Sequence, residues 1–277
     1  MYYYQTRISR VLTKVIEYGL PWFCCIFVLA FYLKTYDSCQ IKITLVQMGG
    51  VFFIGLWLMK ILEERKFILQ DKEQFRLLLP VICFLISGII SYFISPFKLT
   101  SLEELTRRLI YLLTFFVVVS EFNDIKRIER FIFWFGIGAL VSSLYGVVQY
   151  LDLDPFIWKR AFGDRIFSTF GNPNFFSAYL VWVVPLILSY ILFSKKWLYS
   201  IVCILAVFCV YQSKSKASWI GLTVAIVCFV FFALNFFTHF KKQNFKKIMI
   251  VAALLTVILG SLGVWIFCKE KSGFCEI

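Results

Sequence analysis

The sequence predicts an all-α protein, a polytopic bundle of about nine transmembrane helices with a cytoplasmic N-terminus. Two observations lead to this fold class. Of the 277 residues, 61% are hydrophobic and only 16% are charged, a composition far too apolar for a soluble domain. Uncharged runs of roughly 17 or more residues recur along the chain, and each is long enough to cross the core of a bilayer. We therefore expect residues 1–277 to form a single integral membrane domain.

The charge of the chain agrees with a membrane protein and argues against a nucleic-acid-binding one. The formal net charge is +13, and basic residues of polytopic proteins gather in cytoplasmic loops. A nucleic-acid-binding protein would instead carry a basic face on a soluble fold. The segment Met1–Lys14 is polar and basic, and the first apolar run lacks a small-residue cleavage site. We therefore expect no cleaved signal peptide.

Nine apolar runs define the predicted spans. In chain order they are Tyr18–Tyr36, Ile43–Leu62, Phe75–Phe97, Leu102–Phe122, Ile128–Leu151, Asn174–Phe193, Trp197–Tyr211, Trp219–Phe240 and Ile248–Cys268. The fourth is the weakest, because only residues 109–120 are free of charge. A Ser-Leu-Glu-Glu pattern beginning at Ser101 matches a capping box, which would start that helix early enough to span. Arg107 and Arg108 would then extend toward the outer surface.

The distribution of basic residues between the loops favours nine spans. Lys and Arg are more frequent on the inner side in this topology, and the excess nearly disappears when the fourth span is left out. The same topology places two loops, residues 152–172 and 213–218, on the outer face. The second loop is so short that the seventh and eighth spans must be antiparallel neighbours.

The nine cysteines do not form a metal-binding pattern. Six of them lie inside apolar runs, where cysteine behaves as a small hydrophobic residue: Cys24, Cys25, Cys83, Cys203, Cys209 and Cys228. The other three, Cys39, Cys268 and Cys275, could lie on one outer face and pair with one another. The sequence leaves their pairing open.

The most informative stretch is the start of the sixth span, within Arg165–Pro185. Asn172 is a good helix N-cap, and Pro173 follows at the first helical position, where a missing N–H costs nothing. Gly171 permits a sharp entry into this turn. Backbone N–H groups at such a helix start, with Arg165 nearby, make a candidate anion site.

Two further cations, Lys214 and Lys216, lie in the short outer loop. One interpretation is that they mark two helix ends and are simply solvated. The alternative is that Lys216 joins Arg165 and the helix start Asn172–Asn174 in a positive pocket at the membrane surface. A ligand suited to that pocket would carry phosphate or diphosphate at the interface and a lipid tail in the bilayer.

These two outer segments carry a family resemblance. Arg165–Pro185 resembles the signature R-x-x-S/G-T-F-G-N-P-N-x-x-A-x-Y-L of the O-antigen ligase and polymerase superfamily. The segment 213–222, which reads S-K-S-K-A-S-W-I-G-L, resembles the second motif of that family, T-x-S-R-G-A-W-L-G-L. The two motifs stand in the family order, with one helical hairpin between them, and the resemblance covers most of the chain.

The resemblance implies a membrane glycosyltransferase of the bacterial inner membrane that serves polysaccharide or lipopolysaccharide biosynthesis. Its donor would be a glycan on undecaprenyl diphosphate, and the acceptor would be a hydroxyl of a glycan or lipid. No metal or other cofactor is implied. Arg165 and Lys216 would contact the diphosphate, and basic side chains there would stabilise the charge of the leaving group. Four residues would shape the pocket: Ser168, Gly171, Asn172 and Asn174.

The chain departs from the family pattern at two points. Lys216 stands where the family usually has arginine, which keeps the charge but loses bidentate contact with phosphate. The family also has a large external loop with an essential histidine after this point, so we expect the chain to be a partial member. Its only histidine, His239, lies at the cytoplasmic end of the eighth span, the wrong side of the membrane for this role. The sequence therefore identifies no catalytic base.

Three functions remain open at this level. The first is glycan transfer, as a ligase, a polymerase or a protein glycosyl ligase. The second is binding or assembly of lipid-diphosphate-linked glycans without catalysis. The third is transport of such glycans, which the nearly uninterrupted apolar runs disfavour, because transporters show broken helices or ionisable residues at the midplane.

Overall fold

The computed structural model describes residues 6–33, 39–64, 72–158 and 162–240, without the side chains of 72–79 and 234–240. This part of the chain forms eight α-helices, which confirms the all-α prediction for it. The helices are α1 (Arg7–Leu29), α2 (Cys39–Glu64), α3 (Lys72–Ile94), α4 (Lys98–Glu121), α5 (Ile125–Tyr150), α6 (Pro173–Ser194), α7 (Ser200–Gln212) and α8 (Lys216–Phe240). Single 3₁₀ turns, Ser168–Phe170 and Trp197–Tyr199, precede α6 and α7.

Five of the described helices are long and apolar enough to cross a membrane: α1, α2, α5, α6 and the Lys216–Ala233 part of α8. The apolar segments Pro80–Ile94 and Trp197–Gln212 are shorter. α4 is not among the five. The chain thus has the character of a membrane protein, while the full set of nine spans stays a prediction. The ninth span, Ile248–Cys268, lies outside the described residues.

The start of α4 corrects the capping-box prediction. The helix begins at Lys98, before Ser101, and its N-cap Phe97 contributes no side-chain hydrogen bond. Glu103 and Glu104 do not cap the helix; each accepts a hydrogen bond from Arg107, at 3.1 and 2.8 Å. Charged residues at helical spacing therefore pair along the helix surface, an interaction that competes with the capping geometry.

The chain divides into two compact units. One comprises Met1–Ala30 and Gln40–Phe135, and the other comprises Phe31–Cys39 and Gly136–Ile277. Helix α5 contributes residues 125–135 to the first unit and 136–150 to the second. That residues 1–277 form a single domain stays a prediction.

In the first unit, α1 packs its buried side chains against α2 and α4. The core residues are Ile16, Leu20, Phe53, Ile54, Val117 and Phe122. The helices approach closely at Gly49, where an added Cβ would lie 2.1 Å from the ring of Phe23. A glycine is required there because the ring occupies the space of a side chain.

Charged side chains connect four helices of the first unit. The ammonium of Lys60 lies 2.8 Å from both carboxylate oxygens of Glu121, and Glu121 is only 2% exposed. Arg127 donates to the Glu121 carbonyl at 2.8 Å and approaches Glu17 at 3.5 Å. Arg130 donates to Glu17 at 2.5 Å and covers the ring of Tyr18. Buried charges of this kind are tolerated only when they are paired.

The carbonyls at the end of α1 are bound by a buried lysine of α2. Lys42, at the start of α2, donates from its ammonium to the carbonyls of Phe27, Val28 and Ala30, at 3.1, 2.5 and 2.7 Å. Phe27 and Val28 lie in the last turn of α1, and Ala30 is its C-cap, where carbonyls lack N–H partners from a following turn. A cation at this helix end also interacts favourably with the helix dipole. Lys42 is 5% exposed.

In the second unit, α6 is the common packing partner of α7 and α8. Its fully buried side chains are Phe176, Leu180, Val183, Val184 and Ile187. α7 and α8 are joined by a short turn, as predicted, but they make few contacts with each other. The connection brings their ends together, and α6 fills the space along the rest of their length.

Candidate functional site

The site is formed by the end of α5, the loop that follows it, the start of α6 and the turn between α7 and α8. The helix start has the geometry predicted from the sequence. Gly171 has a left-handed φ of 64°, and the Asn172 side chain accepts from the backbone N–H of Asn174 at 2.9 Å. Pro173 is the first residue of the helix. The predicted cap is therefore confirmed.

Arg165 connects the two segments that the sequence singled out. Its Nε donates to the Ser213 carbonyl at 2.7 Å, and its Nη2 donates to the Asn174 side-chain oxygen at 2.9 Å. The first bond reaches the α7–α8 turn, and the second reaches the start of α6. These bonds use two of the five N–H donors of a guanidinium. Arg165 thus has a structural role that sequence reasoning did not foresee, and it retains donors for a ligand.

Ser168 is buried behind the site. Its hydroxyl donates to the Ser142 carbonyl at 2.6 Å, and its backbone N–H donates to Gln149 Oε1 at 2.6 Å. Its φ of 49° is unusual for a residue other than glycine. Ser168 does not line the cavity described below; its hydrogen bonds fix the backbone that precedes Gly171, and its role in shaping the pocket stays a prediction.

The Asp154 carboxylate is the hydrogen-bonding centre of the loop after α5. It accepts from Tyr145 OH at 2.8 Å, Gln149 Nε2 at 2.8 Å and Trp158 Nε1 at 3.0 Å, and from the Phe156 backbone N–H at 3.0 Å. Through Gln149 this network continues to Ser168, and so to the segment that carries Arg165. Sequence reasoning missed it, although Gln149, a polar residue within an apolar run, was a signal.

A cavity of about 430 Å³ opens beside Arg165. Its lining combines carboxylates, amides, two cations and aromatic rings. The lining residues are Gln149, Tyr150, Asp152, Asp154, Gly163, Asp164, Arg165, Ile166, Phe167, Gln212 and Lys214. Cavities of this size suit small polar ligands or the head group of a larger molecule.

The cation that lines the cavity together with Arg165 is Lys214. It forms a short ion pair with Asp164, and its φ of 50° places it at a tight turn. Lys216, which the sequence predicted for this role, is the exposed first residue of α8 and does not line the cavity. Its contact with a phosphate stays a prediction. Lys214 belongs to the turn itself, whereas Lys216 is already part of α8.

The Lys214–Asp164 pair makes a pH-dependent connection between the two loops. The hydrogen bond from Lys214 is the main cause that lowers the pKa of Asp164, assisted by a backbone hydrogen bond and by the charge of Lys214. Because the folded-state pKa of Asp164 is lowered, the connection is complete above the ordinary aspartate pKa of about 3.9 and is lost only as the pH falls through the lowered value.

We expect Lys214→Gln to raise the pKa of Asp164 toward its ordinary value, because the donor and the positive charge are removed together. The measurement is a titration of the ¹³C signal of the Asp164 carboxyl in selectively labelled protein. Lys195→Gln, which removes an exposed lysine at the other end of α6, should leave the titration midpoint unchanged. Equal midpoints in wild type and Lys214→Gln would contradict the pair.

The serines of the second motif connect α6 and α8. The hydroxyls of Ser177 and Ser218 are 2.7 Å apart, and Ser218 lies 3.1 Å from the hydroxyl of Ser215. All three are buried. Small residues let the two apolar helices approach closely, and the hydroxyls satisfy their hydrogen-bonding groups by bonding to one another.

The remaining predicted residues lie apart from the cavity or outside the described residues. The Cys39 thiol donates to the Phe170 carbonyl at 3.3 Å, while Cys268 and Cys275 are outside the described residues. His239 belongs to α8. In the part of the chain that is described, no group of three or more His, Cys, Asp or Glu side chains could hold a metal ion.

The fold and the site define an α-helical membrane protein with a charged cavity between the loops of its second unit. No protein family model, curated protein or solved structure matches this chain. The residues of the site are therefore the basis on which a function can be proposed.

Proposed function

We propose that the chain is a membrane glycosyltransferase of the O-antigen ligase and polymerase type, which transfers a glycan from undecaprenyl diphosphate to an acceptor hydroxyl. The observation that carries the proposal is the position of Arg165. Its guanidinium binds both motif segments, at Asn174 and Ser213, and lines the cavity beside them. The alternative is a subunit that binds the same lipid-linked glycan without transferring it.

The proposed topology has nine spans and a cytoplasmic N-terminus, in the inner membrane of a bacterium. In this topology the loops after α5 and α7 lie on the outer face, where glycans on lipid diphosphates are presented. The uneven distribution of basic residues supports this orientation. The lipid tail would remain in the bilayer while the diphosphate meets the cavity.

Arg165 and Lys214 would supply the positive charge for the diphosphate. Guanidinium and ammonium groups form strong charge-assisted hydrogen bonds with phosphate oxygens. The start of α6 adds backbone N–H groups and the positive end of a helix dipole. Lys216, at the first position of α8, would extend this surface toward the membrane. Such groups stabilise the negative charge that develops on a leaving diphosphate.

Asp152 is the best candidate for the base that the sequence did not identify. Of the three carboxylates that line the cavity, Asp154 accepts four hydrogen bonds and Asp164 is paired with Lys214. Within the described residues, the Asp152 carboxylate receives no hydrogen bond, and its φ of 55° is a strained geometry of the kind found at functional sites.

In the proposed reaction, Asp152 takes the proton of the acceptor hydroxyl. The acceptor oxygen then forms a bond to the anomeric carbon of the donor glycan. The bond between that carbon and the diphosphate oxygen breaks, and its electron pair leaves with the lipid diphosphate. Arg165 and Lys214 neutralise the charge of this leaving group, which lowers the barrier.

The proposal is tested by measuring how the purified chain binds undecaprenyl diphosphate. We expect Arg165→Ala to weaken binding by about tenfold or more, since a charge-assisted hydrogen bond contributes about 1.5–3 kcal/mol. Arg165→Lys should lose less, because the charge remains. Lys216→Ala reports whether this residue contributes, and Lys195→Ala is the control for loss of an exposed cation.

Thermal unfolding of each variant must be measured in parallel, because Arg165 also connects two loops. Weakened binding by a variant that unfolds at the wild-type temperature supports a direct contact with phosphate. Unchanged binding by both Arg165→Ala and Lys216→Ala would contradict the proposal. Glycan transfer by the intact chain, abolished in Asp152→Asn, distinguishes the transferase from the non-catalytic subunit.

A further inference from the structure

The first three turns of α1 carry cations on one exposed strip. Arg7, Arg10 and Lys14 are all exposed, and their spacing of three and four residues places them on the same side of the helix. This strip is referred to below as the α1 cationic strip. It belongs to the first unit and has no part in the cavity described above.

A second exposed strip of α1 is apolar. Ile8, Val11, Val15 and Tyr18 are 60, 56, 40 and 54% exposed. At 100° per residue these side chains point to the sector next to the cationic strip, on the side away from the buried residues of the helix. The start of α1 thus has three sectors: one buried, one apolar and exposed, and one cationic and exposed.

Within the described residues, none of the three cations of the α1 cationic strip forms an ion pair with a carboxylate. Glu17 is paired with Arg127 and Arg130 instead, and Glu64 accepts a hydrogen bond from the Ser9 hydroxyl. The cations of the strip are therefore exposed and, in the part of the chain that is described, have no ionic partner.

The length of α1 places the strip at the membrane surface. From Tyr18 to Leu29 the helix would measure about 18 Å, which is too short for a hydrocarbon core of about 30 Å. From Ile8 to Leu29 it measures about 33 Å, which is sufficient. A helix that crosses the core and ends at Leu29 would therefore start near residue 10, with Arg7 and Arg10 at the depth of the head groups and the Lys14 side chain extending toward them.

We propose that the α1 cationic strip binds the phosphate groups of anionic phospholipids, with their acyl chains against the adjacent apolar strip. The ligand class is a lipid with a net negative head group, such as phosphatidylglycerol. Cations at the membrane surface are attracted to anionic lipids, and their aliphatic stems pack on the apolar neighbours. This inference is independent of the glycosyltransferase proposal, because it uses neither the cavity nor its residues.

The experiment is native mass spectrometry of the full chain in detergent micelles with equal amounts of phosphatidylglycerol and phosphatidylcholine. Micelles are used because removal of cations can alter the orientation of a helix in a bilayer. The test variant is Arg7→Gln/Arg10→Gln/Lys14→Gln. The matched control, Lys126→Gln/Lys195→Gln/Lys196→Gln, removes the same number of lysine or arginine charges elsewhere.

We expect wild type and control to retain phosphatidylglycerol in preference to phosphatidylcholine. The α1 variant should lose this preference by about tenfold or more, and high salt should weaken it in the wild type. The charge-conserving variant Arg7→Lys/Arg10→Lys should keep it, because all three positive charges remain, and thermal unfolding of the triple glutamine variant at the wild-type temperature shows that its helix still folds. An equal loss in the α1 variant and the control, or no preference in the wild type, would overturn the proposal.

Discussion

Replacing Lys60 with methionine is expected to lower the free energy of unfolding by about 3 kcal/mol. The ammonium of Lys60 lies 2.8 Å from both oxygens of Glu121, a residue that is 2% exposed. Without Lys60, the Glu121 carboxylate would remain buried, and among the described residues its remaining ionic partner would be Arg127, 3.9 Å away.

The double variant Lys60→Met/Glu121→Leu should recover at least half of this loss, since apolar residues can replace a buried ion pair at little cost. Thermal unfolding of the purified protein in one detergent measures both effects. Lys126→Met, which alters an exposed lysine of α5, is the control and should change stability by less than about 0.5 kcal/mol. A Lys60→Met protein as stable as the wild type would show that the pair contributes nothing.

Asp154→Ala is expected to destabilise the second unit by about 3 kcal/mol, because three buried or half-buried donors lose their acceptor together. Tyr145 OH, Gln149 Nε2 and Trp158 Nε1 all donate to this carboxylate. Gln149 also accepts from the backbone N–H of Ser168, so a Gln149 without its bond to Asp154 would hold this backbone less firmly. The Ser168 segment leads into the Gly171–Pro173 turn. Binding of undecaprenyl diphosphate should therefore weaken, although Asp154 itself is not expected to touch phosphate.

The control for this prediction lies two residues away. Asp152→Asn removes a charge from the same loop without removing a hydrogen bond within the described residues, and asparagine also tolerates a positive φ. We expect its thermal unfolding to match that of the wild type. If Asp154→Ala and Asp152→Asn unfold alike, the hydrogen bonds of Asp154 do not organise the loop.

Local features of the fold could be predicted from the sequence because they depend on neighbouring residues. The start of α6 is determined by Gly171, Asn172 and Pro173, each of which has a strong conformational preference, and the structure has the predicted geometry there. The start of α4 was predicted incorrectly. There, Ser101 and Glu104 fit a capping pattern, but Lys98 donates to carbonyls at the end of α3 and allows the helix to begin earlier.

The partners of the charged residues could not be predicted, because they come from distant parts of the chain. Arg165 binds Ser213, and Lys214 binds Asp164. In each pair, α6 and α7 separate the two residues in the sequence. The buried pair of Lys60 and Glu121 is equally remote. Periodicity and capping rules describe one helix at a time, so the positions of these side chains require the packing of several helices.

Lys42 makes the end of one helix depend on the next. When α1 leaves the translocation machinery before α2, three carbonyls near its end lack the ammonium that donates hydrogen bonds to them in the folded protein. In a membrane such groups are costly to leave unpaired. α1 and α2 therefore form one unit of assembly: the first helix reaches its final form only after the chain has turned back and delivered residue 42.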